Sequence, residues 1–230
     1  MEPIIISGGG IAGLTLGIAL KKQKIPFILL EKSPQIIKQI GGGIGLWGPA
    51  LKGLKQLGVE DKLIGKNLVC AGYRSSSQLI QDKWLVQPNY KTLNRHTSCL
   101  CLRRGELQEK LIETLDSSNI LYNSELKSFN QTSDAVYVQL KNGVELKGSI
   151  LVGADGIHSI TRKHIFPNII PKDIHYNYWQ GIGFIKNNHE LLPAYEAWHP
   201  HIRFGMVPLP SGECFWFICS DYDIPKEFQN

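Results

Sequence analysis

Gly8, Gly10 and Gly13 stand at G-x-G-x-x-G spacing directly after Ile4-Ile5-Ile6, and Glu31 follows a second apolar run from Ile25 to Leu30. That spacing suits a nucleotide pyrophosphate. The first glycine permits a tight turn, the second lets backbone approach the phosphates, and the third allows close helix–strand contact. The free N–H groups and positive dipole end of the next helix then meet the anion. Glu31, eighteen residues beyond Gly13, is placed to accept from ribose hydroxyls, and a carboxylate there suits a 2′-hydroxyl rather than a 2′-phosphate. These residues by themselves leave NAD and FAD open.

Ile150 to Arg162 is the second informative stretch. It reads as a buried strand, a Gly-rich turn and a helix start, with Ser159 as N-cap. Asp155 sits on the turn, either facing a ligand or acting as a turn-forming Asx residue. Leu102-Arg103-Arg104-Gly105-Glu106-Leu107 enters an amphipathic helix and places cations at its start, where an arginine is ordinarily solvated.

The elements that must hold these residues follow from pattern. Residues 1–31 form a β-turn-α-β unit. Gly17 inside its helix costs about 1 kcal/mol relative to Ala, which implies close helix–sheet approach unless it is an incidental surface glycine. Gly41-Gly42-Gly43-Ile44-Gly45 is either backbone meant to lie against a flat ligand or a flexible loop, and Pro49 to Leu57, closing on Gly58, is a short amphipathic helix. Residues 66–101 read as strands and turns, one turn at Ser75-Ser76-Ser77. Ile120 to Tyr122 and Val136 to Leu140 read as strands, and Asn142-Gly143 as a hairpin turn. From about 172 onward, aromatic strands are expected over His175–Ile185, Tyr195–Trp198, Ile202–Leu209 and Cys214–Cys219, with a turn at Pro210-Ser211-Gly212.

Composition narrows the class. With 230 residues, 43% hydrophobic and 20% charged, the chain can bury a substantial core. A net charge of +5 without a basic run gives no support to nucleic-acid binding. Five cysteines with no C-x-x-C pair argue against a disulfide framework and for a reducing compartment. No secretory leader and no run of eighteen apolar residues is present, so a cytoplasmic location is expected and no membrane segment lies within these residues. His199-Pro200-His201 lacks a third ligand, and no metal site is expected.

G-G-G-I-A-G ending at Glu31, L-R-R-G-E-L at 102–107 and V-G-A-D-G-I-H-S-I-T-R at 152–162 resemble the FAD-dependent class A monooxygenases of the p-hydroxybenzoate hydroxylase type, nearest the salicylate hydroxylase and zeaxanthin epoxidase branch. The resemblance spans the chain and includes G-G-G-I-G-L-W-G-P-A-L, Tyr178-Trp179-Gln180-Gly181 and Met206-Val207-Pro208-Leu209. It implies an α/β fold: a Rossmann-like, glutathione-reductase type βαβ domain for FAD over 1–70 and 95–171, and a β-rich substrate domain over 71–94 and 172–230.

By the same resemblance, Gly8, Gly10, Ile11, Ala12 and Gly13 hold the FAD pyrophosphate and Glu31 the ribose, with Lys32 and Gly43 beside the cofactor. Arg104 meets the pyrophosphate and ribityl region, Arg103 being its register alternative. Leu126 offers backbone to the adenine, and Asp155 meets the nucleotide at a position that also affects NAD(P)H use. The implied activity is hydroxylation or epoxidation of a small aromatic or unsaturated substrate with O2 and NAD(P)H, through a hydroperoxide at flavin C4a. The cofactor carries the chemistry, so no catalytic side chain is identified. Trp179, Phe184, Phe204, Phe215 and Trp216 either roof the flavin or are plain core. The family's later Gly-Asp motif is absent before Asn230, so the chain is expected to be incomplete. An FAD-dependent reductase or dehydrogenase on this scaffold, or a non-catalytic FAD-binding remnant, are the alternatives. Oligomeric state is not readable.

Overall fold

The computed structural model describes residues 2–35, 42–63, 66–67, 70–75, 84–86, 99–184 and 194–221. Gly41 and the Ser76-Ser77 part of the expected turn lie outside them. The chain divides into two compact units. Met1–Ile40, Gly53–Leu63 and Gly105–Pro171 make the first, and Gly41–Lys52, Ile64–Arg104 and Lys172–Asn230 the second.

In chain order the first elements are β1 (Ile4–Ser7), α1 (Ile11–Lys22), β2 (Phe27–Leu30), β3 (Gly43–Trp47), α2 (Gly48–Leu57), β4 (Lys66–Asn67), β5 (Cys70–Ser75) and β6 (Trp84–Val86). Next come β7 (Cys99–Arg103), α3 (Arg104–Leu115), β8 (Ile120–Leu121), β9 (Leu126–Gln131), β10 (Val136–Leu140), β11 (Glu145–Gly148), β12 (Ile150–Gly153) and α4 (Ile160–Ile165). The last four strands are β13 (Asn177–Phe184), β14 (Ala194–Trp198), β15 (Ile202–Pro208) and β16 (Glu213–Ser220).

The first unit is built on a parallel sheet of order β12-β1-β2-β8. Its central strand β1 is apolar at successive positions because both faces are covered. Ile5 and Ile6 are each fully buried. Ile6 faces α1, where its Cγ2 would lie 3.3 Å from a Cβ at Gly13, while Ile5 joins Leu30, Leu126, Val136, Val138 and Leu140 in the opposite core. That core is closed by the antiparallel sheet β11-β10-β9. The sequence patterns did not identify β9 or β11 as strands. Lys-Ser-Phe-Asn-Gln is too polar to mark one, and only Leu126 of β9 is buried.

Gly17 sits where helix and sheet approach closely, since a Cβ there would lie 3.2 Å from both Leu115 methyls and from the Phe27 ring. Gly58, at φ +76°, ends α2 in the left-handed conformation that favours glycine. Among the described residues, no helix is long and apolar enough to cross a membrane.

The second unit carries an antiparallel sheet β3-β7-β4 and a six-stranded sheet β13-β16-β15-β14-β5-β6, antiparallel except for β14–β5. Its core joins Cys99, Cys101, Leu209 and Phe215, with Ile182, Val207 and Phe217 against them. Residues paired across strands share a face, so the register divides the aromatic set named above. Trp179, Phe204 and Trp216 lie on one face of the sheet, and Phe215 and Phe184 on the other. Those five side chains therefore do not form one continuous roof.

Candidate nucleotide-binding site

The glycine turn between β1 and α1 serves two purposes. Gly8 has φ +111°, and a Cβ on it would lie 2.4 Å from the Ala154 carbonyl oxygen. At Gly13 a Cβ would lie 2.0 Å from the Gly8 carbonyl oxygen. Both positions are consumed by chain meeting chain. Gly10 differs, because nothing lies within 4 Å of a Cβ built there. It is the N-cap of α1, extended at ψ −178°, with no side-chain cap and no acidic residue in the first turn. Helix geometry leaves the N–H groups of Ile11, Ala12 and Gly13 without intrahelical acceptors. They form an open, positively polarised cradle, and that geometry fits an anionic pyrophosphate.

Glu31 lies at the carboxyl end of β2. Its Oε2 accepts from the Gly9 N–H at 2.9 Å and its Oε1 from the Ser33 N–H at 2.8 Å. Two backbone donors thus fix the carboxylate, and each oxygen keeps a second acceptor site for a hydroxyl. Sequence reading missed Gly9, which is an unconstrained position of the fingerprint. A Cβ on it would lie 2.6 Å from Glu31 Oε2, so a glycine at the unconstrained middle position of the triplet was the available signal. Lys32 is exposed, and Tyr122 lies nearby. Burial, reinforced by the Glu31 charge, pushes the Tyr122 phenol above its usual pKa.

Asp155 turns towards its own helix. One carboxylate oxygen accepts from Ser159 Oγ, and the other from the N–H groups of Ile160 at 2.9 Å and Thr161 at 3.0 Å and from Thr161 Oγ1 at 3.1 Å. Burial is the largest single influence and raises its pKa, but the bonds from Ser159, Thr161 and its own backbone N–H together outweigh it and hold the carboxyl below the usual range. Ser159 is the N-cap of α4, accepting from the Arg162 N–H at 2.9 Å. The turn that Asp155 organises touches Gly8 through Ala154, whose N–H donates to the Ser7 carbonyl at 2.8 Å. Leu126 sits 3% exposed with its side chain in the core beside β10.

Gly43 and Arg104 belong to the second unit, so they group apart from the nine residues above. The glycine segment is a strand over Gly43–Trp47, not a loop, and Gly43 pairs with Arg103. The two neighbouring arginines have different surroundings. Arg103 makes a two-pronged pair with Glu213, Nε donating to Oε2 at 2.8 Å and Nη2 to Oε1, with the two side chains only 23% and 15% exposed. Arg104 is exposed, and its N–H donates to the Gly42 carbonyl at 3.0 Å. Of the two guanidinium groups, that of Arg104 is the one presented to solvent. Among the described residues, no three His, Cys, Asp or Glu groups are arranged to hold a metal. His201 instead lies 3.2 Å from Asp221.

The family model described as FAD binding domain matches residues 1–207, and the chain belongs to that family. Aurachin C monooxygenase/isomerase of Stigmatella aurantiaca is 28% identical over 224 residues, covering 93% of this chain and 56% of that protein. Monooxygenase 1 of Arabidopsis thaliana is 29% identical over 226 residues, covering 94% and 53%. The chain thus spans about half the length of these curated relatives. The fold matches Klebsiella pneumoniae HpxO, solved with FAD and uric acid, at TM-score 0.83 and 21% identity over all of this chain and 58% of that one. FAD is accordingly the cofactor of this fold, and the open nucleotide fingerprint resolves to it.

Proposed function

We propose that this chain is the FAD-holding part of an NAD(P)H-dependent monooxygenase that hydroxylates or epoxidises a small aromatic or unsaturated compound. The observation that carries the reading is the uncapped first turn of α1, open at Gly10 and flanked by a Glu31 carboxylate that backbone donors already hold. Residues 1–70 and 95–171 form the FAD-binding domain in this reading, and 71–94 with 172–230 the substrate domain. Bound FAD supplies hydride acceptance from NAD(P)H and activation of O2.

The protein's own groups bind and orient it. The N–H groups of Ile11, Ala12 and Gly13 meet the pyrophosphate, Glu31 accepts from the ribose, and Lys32 and Gly43 flank the cofactor. The Leu126 backbone faces the adenine. Arg104 supplies a cation to the phosphates, because Arg103 is already neutralised by Glu213. Asp155 acts as a positioning residue, holding the 154–155 turn against Gly8.

Flavin fluorescence titration tests the assignment. Glu31→Ala and Arg104→Ala should each weaken FAD binding about ten- to a hundredfold, as loss of a charge-assisted hydrogen bond does. Arg103→Ala should instead lower thermal stability by leaving Glu213 half-buried and unpaired. Unchanged FAD affinity in both of the first two variants would remove the proposed site. Product analysis under labelled O2 with NAD(P)H then separates a monooxygenase from a reductase, since only the former places label in the organic product.

A further inference from the structure

Cys99 and Cys101 stand two apart on β7, the central strand of its three-stranded sheet, so their side chains leave on one face. Each is only 3% exposed. The neighbouring strand β3 sets Gly45 across from Cys101 and Trp47 across from Cys99. A Cβ on Gly45 would lie 3.0 Å from Cys99 Sγ and 3.6 Å from Cys101 Sγ, so both sulfurs crowd one bare backbone position. Gly45 is itself exposed. At that position β3 puts no side chain in the way of a water-sized reagent.

The pair also differs from Cys214 and Cys219. Cys101 hydrogen-bonds Cys99, and that bond holds the Cys99 thiol below its ordinary pKa although burial pushes the other way. At Cys214 and Cys219 burial wins, and both thiols are raised. A cysteine buried in apolar surroundings is inert as a rule, because its thiolate is disfavoured. A second sulfur donating to the first removes that protection. Strand rise puts Cα atoms two residues apart at roughly 6.4–6.8 Å, the upper end of what a disulfide spans, so closing one here must shorten the strand by about 1 Å. Such a strained bond is readily reduced again.

We propose that Cys99 and Cys101 form a peroxide-reactive dithiol, a modification site that closes reversibly to an intrastrand disulfide and lowers FAD affinity when closed. The Cys99 thiolate attacks one oxygen of hydrogen peroxide, the O–O bond breaks, and the departing hydroxide takes up the proton that Cys99 released and leaves as water. The Cys101 sulfur then attacks the sulfenic sulfur of Cys99, the S–O bond breaks, and the hydroxide takes the Cys101 proton as a second water. Two electrons pass from the thiols to one peroxide, and a dithiol reductant reverses the step by exchange. β7 runs on into Arg103, tied to Glu213, and Arg104, whose N–H donates to the Gly42 carbonyl at 3.0 Å. Shortening the strand two residues earlier pulls on both, and Arg104 leaves the position from which it meets the cofactor phosphates. That consequence rests on the Arg104 assignment above, whereas the thiol chemistry does not.

The full chain, reduced and then treated with one molar equivalent of hydrogen peroxide, tests this by mass spectrometry of the tryptic peptide 96–103, which carries both cysteines. That peptide should lose two hydrogens and regain them with dithiothreitol. Cys101→Ser should stop the reaction at Cys99, trapped as a dimedone adduct, while Cys99→Ser should leave Cys101 a thiol. In flavin fluorescence titration the oxidised chain should bind FAD about three- to tenfold more weakly, less than Arg104→Ala loses, because the cation is displaced and not removed. Cys99→Ser should bind FAD equally before and after peroxide. Two intact thiols in peptide 96–103 after treatment, a sulfenic acid trapped at Cys101 instead of Cys99, or peroxide weakening FAD equally in Cys99→Ser would each overturn the proposal. Unchanged FAD affinity in the oxidised chain would do the same, provided Arg104→Ala is weakened. If neither is weakened, the Arg104 assignment fails and the disulfide in peptide 96–103 still stands.

Discussion

Gly8-Gly9-Gly10 and Gly41-Gly42-Gly43 are the same tripeptide used for opposite purposes. In the first, Gly8 and Gly9 are hemmed in by Ala154 and Glu31, while Gly10 opens onto free space at the start of a helix. In the second, the described glycines face side chains. A Cβ on Gly42 would lie 2.4 Å from the Phe215 ring and 2.6 Å from Gln180 Oε1, and one on Gly43 2.8 Å from the Phe215 side chain. One triplet ends on open space at a helix start, and the other is bare to admit a phenylalanine. A glycine run by itself therefore says that backbone is approached closely, and the approaching group must be found in the fold.

Four substitutions probe that contrast. Gly13→Ala should do the most damage, because its Cβ would meet the Gly8 carbonyl at 2.0 Å and backbone cannot step aside. A cost of about 3 kcal/mol or more is expected. In thermal denaturation that is a fall of roughly 10 °C, and a midpoint near the parent value would contradict the close approach. Gly43→Ala comes next, at about 1–3 kcal/mol, since the clash is with Phe215. Combining it with Phe215→Ala should cost less than the sum of the two single changes. Strict additivity would show that Phe215 is not what Gly43 accommodates.

Asp155→Ala should cost about 1–2 kcal/mol near neutral pH, the scale of a lost helix cap. Its carboxyl is held below the usual range when folded, so the stabilisation is present above the unfolded carboxylate pKa and is lost as pH falls through the folded value. The parent and Asp155→Ala curves should therefore converge in acid, and a gap that persists there would assign the effect to packing instead. Gly10→Val should change stability least, within about 1 kcal/mol, because the space around it is empty. It should nonetheless abolish FAD retention, measured as flavin-to-protein ratio. Full occupancy in a folded Gly10→Val protein would show that the pyrophosphate does not use this turn.

The β-α-β start, the α4 cap at Ser159 and the Asn142-Gly143 hairpin were legible in sequence because each depends on residues a few positions apart. Gly143, at φ +89°, and Asn142, whose Oδ1 accepts from the Val144 N–H at 3.1 Å, set the turn locally. Strand β9 was not legible, because its pairing with β10 and not its own composition makes it a strand. The choice between Arg103 and Arg104 was equally hidden. They are adjacent and chemically identical, and only Glu213, 110 positions from Arg103, neutralises one and leaves the other exposed.

Local spacing thus determined the nucleotide fingerprint, the acid at the end of β2 and the αβ character of the first unit, since helix caps and tight turns are short-range events. Tertiary structure decided what each candidate faces. It turned Asp155 onto α4, filled the space over Gly43 with Phe215, and gathered Tyr178, Trp198, Arg203 and Phe217 from four strands onto one face. Long-range pairing register sets those neighbours, and a one-residue slip would send every one of them to the other side.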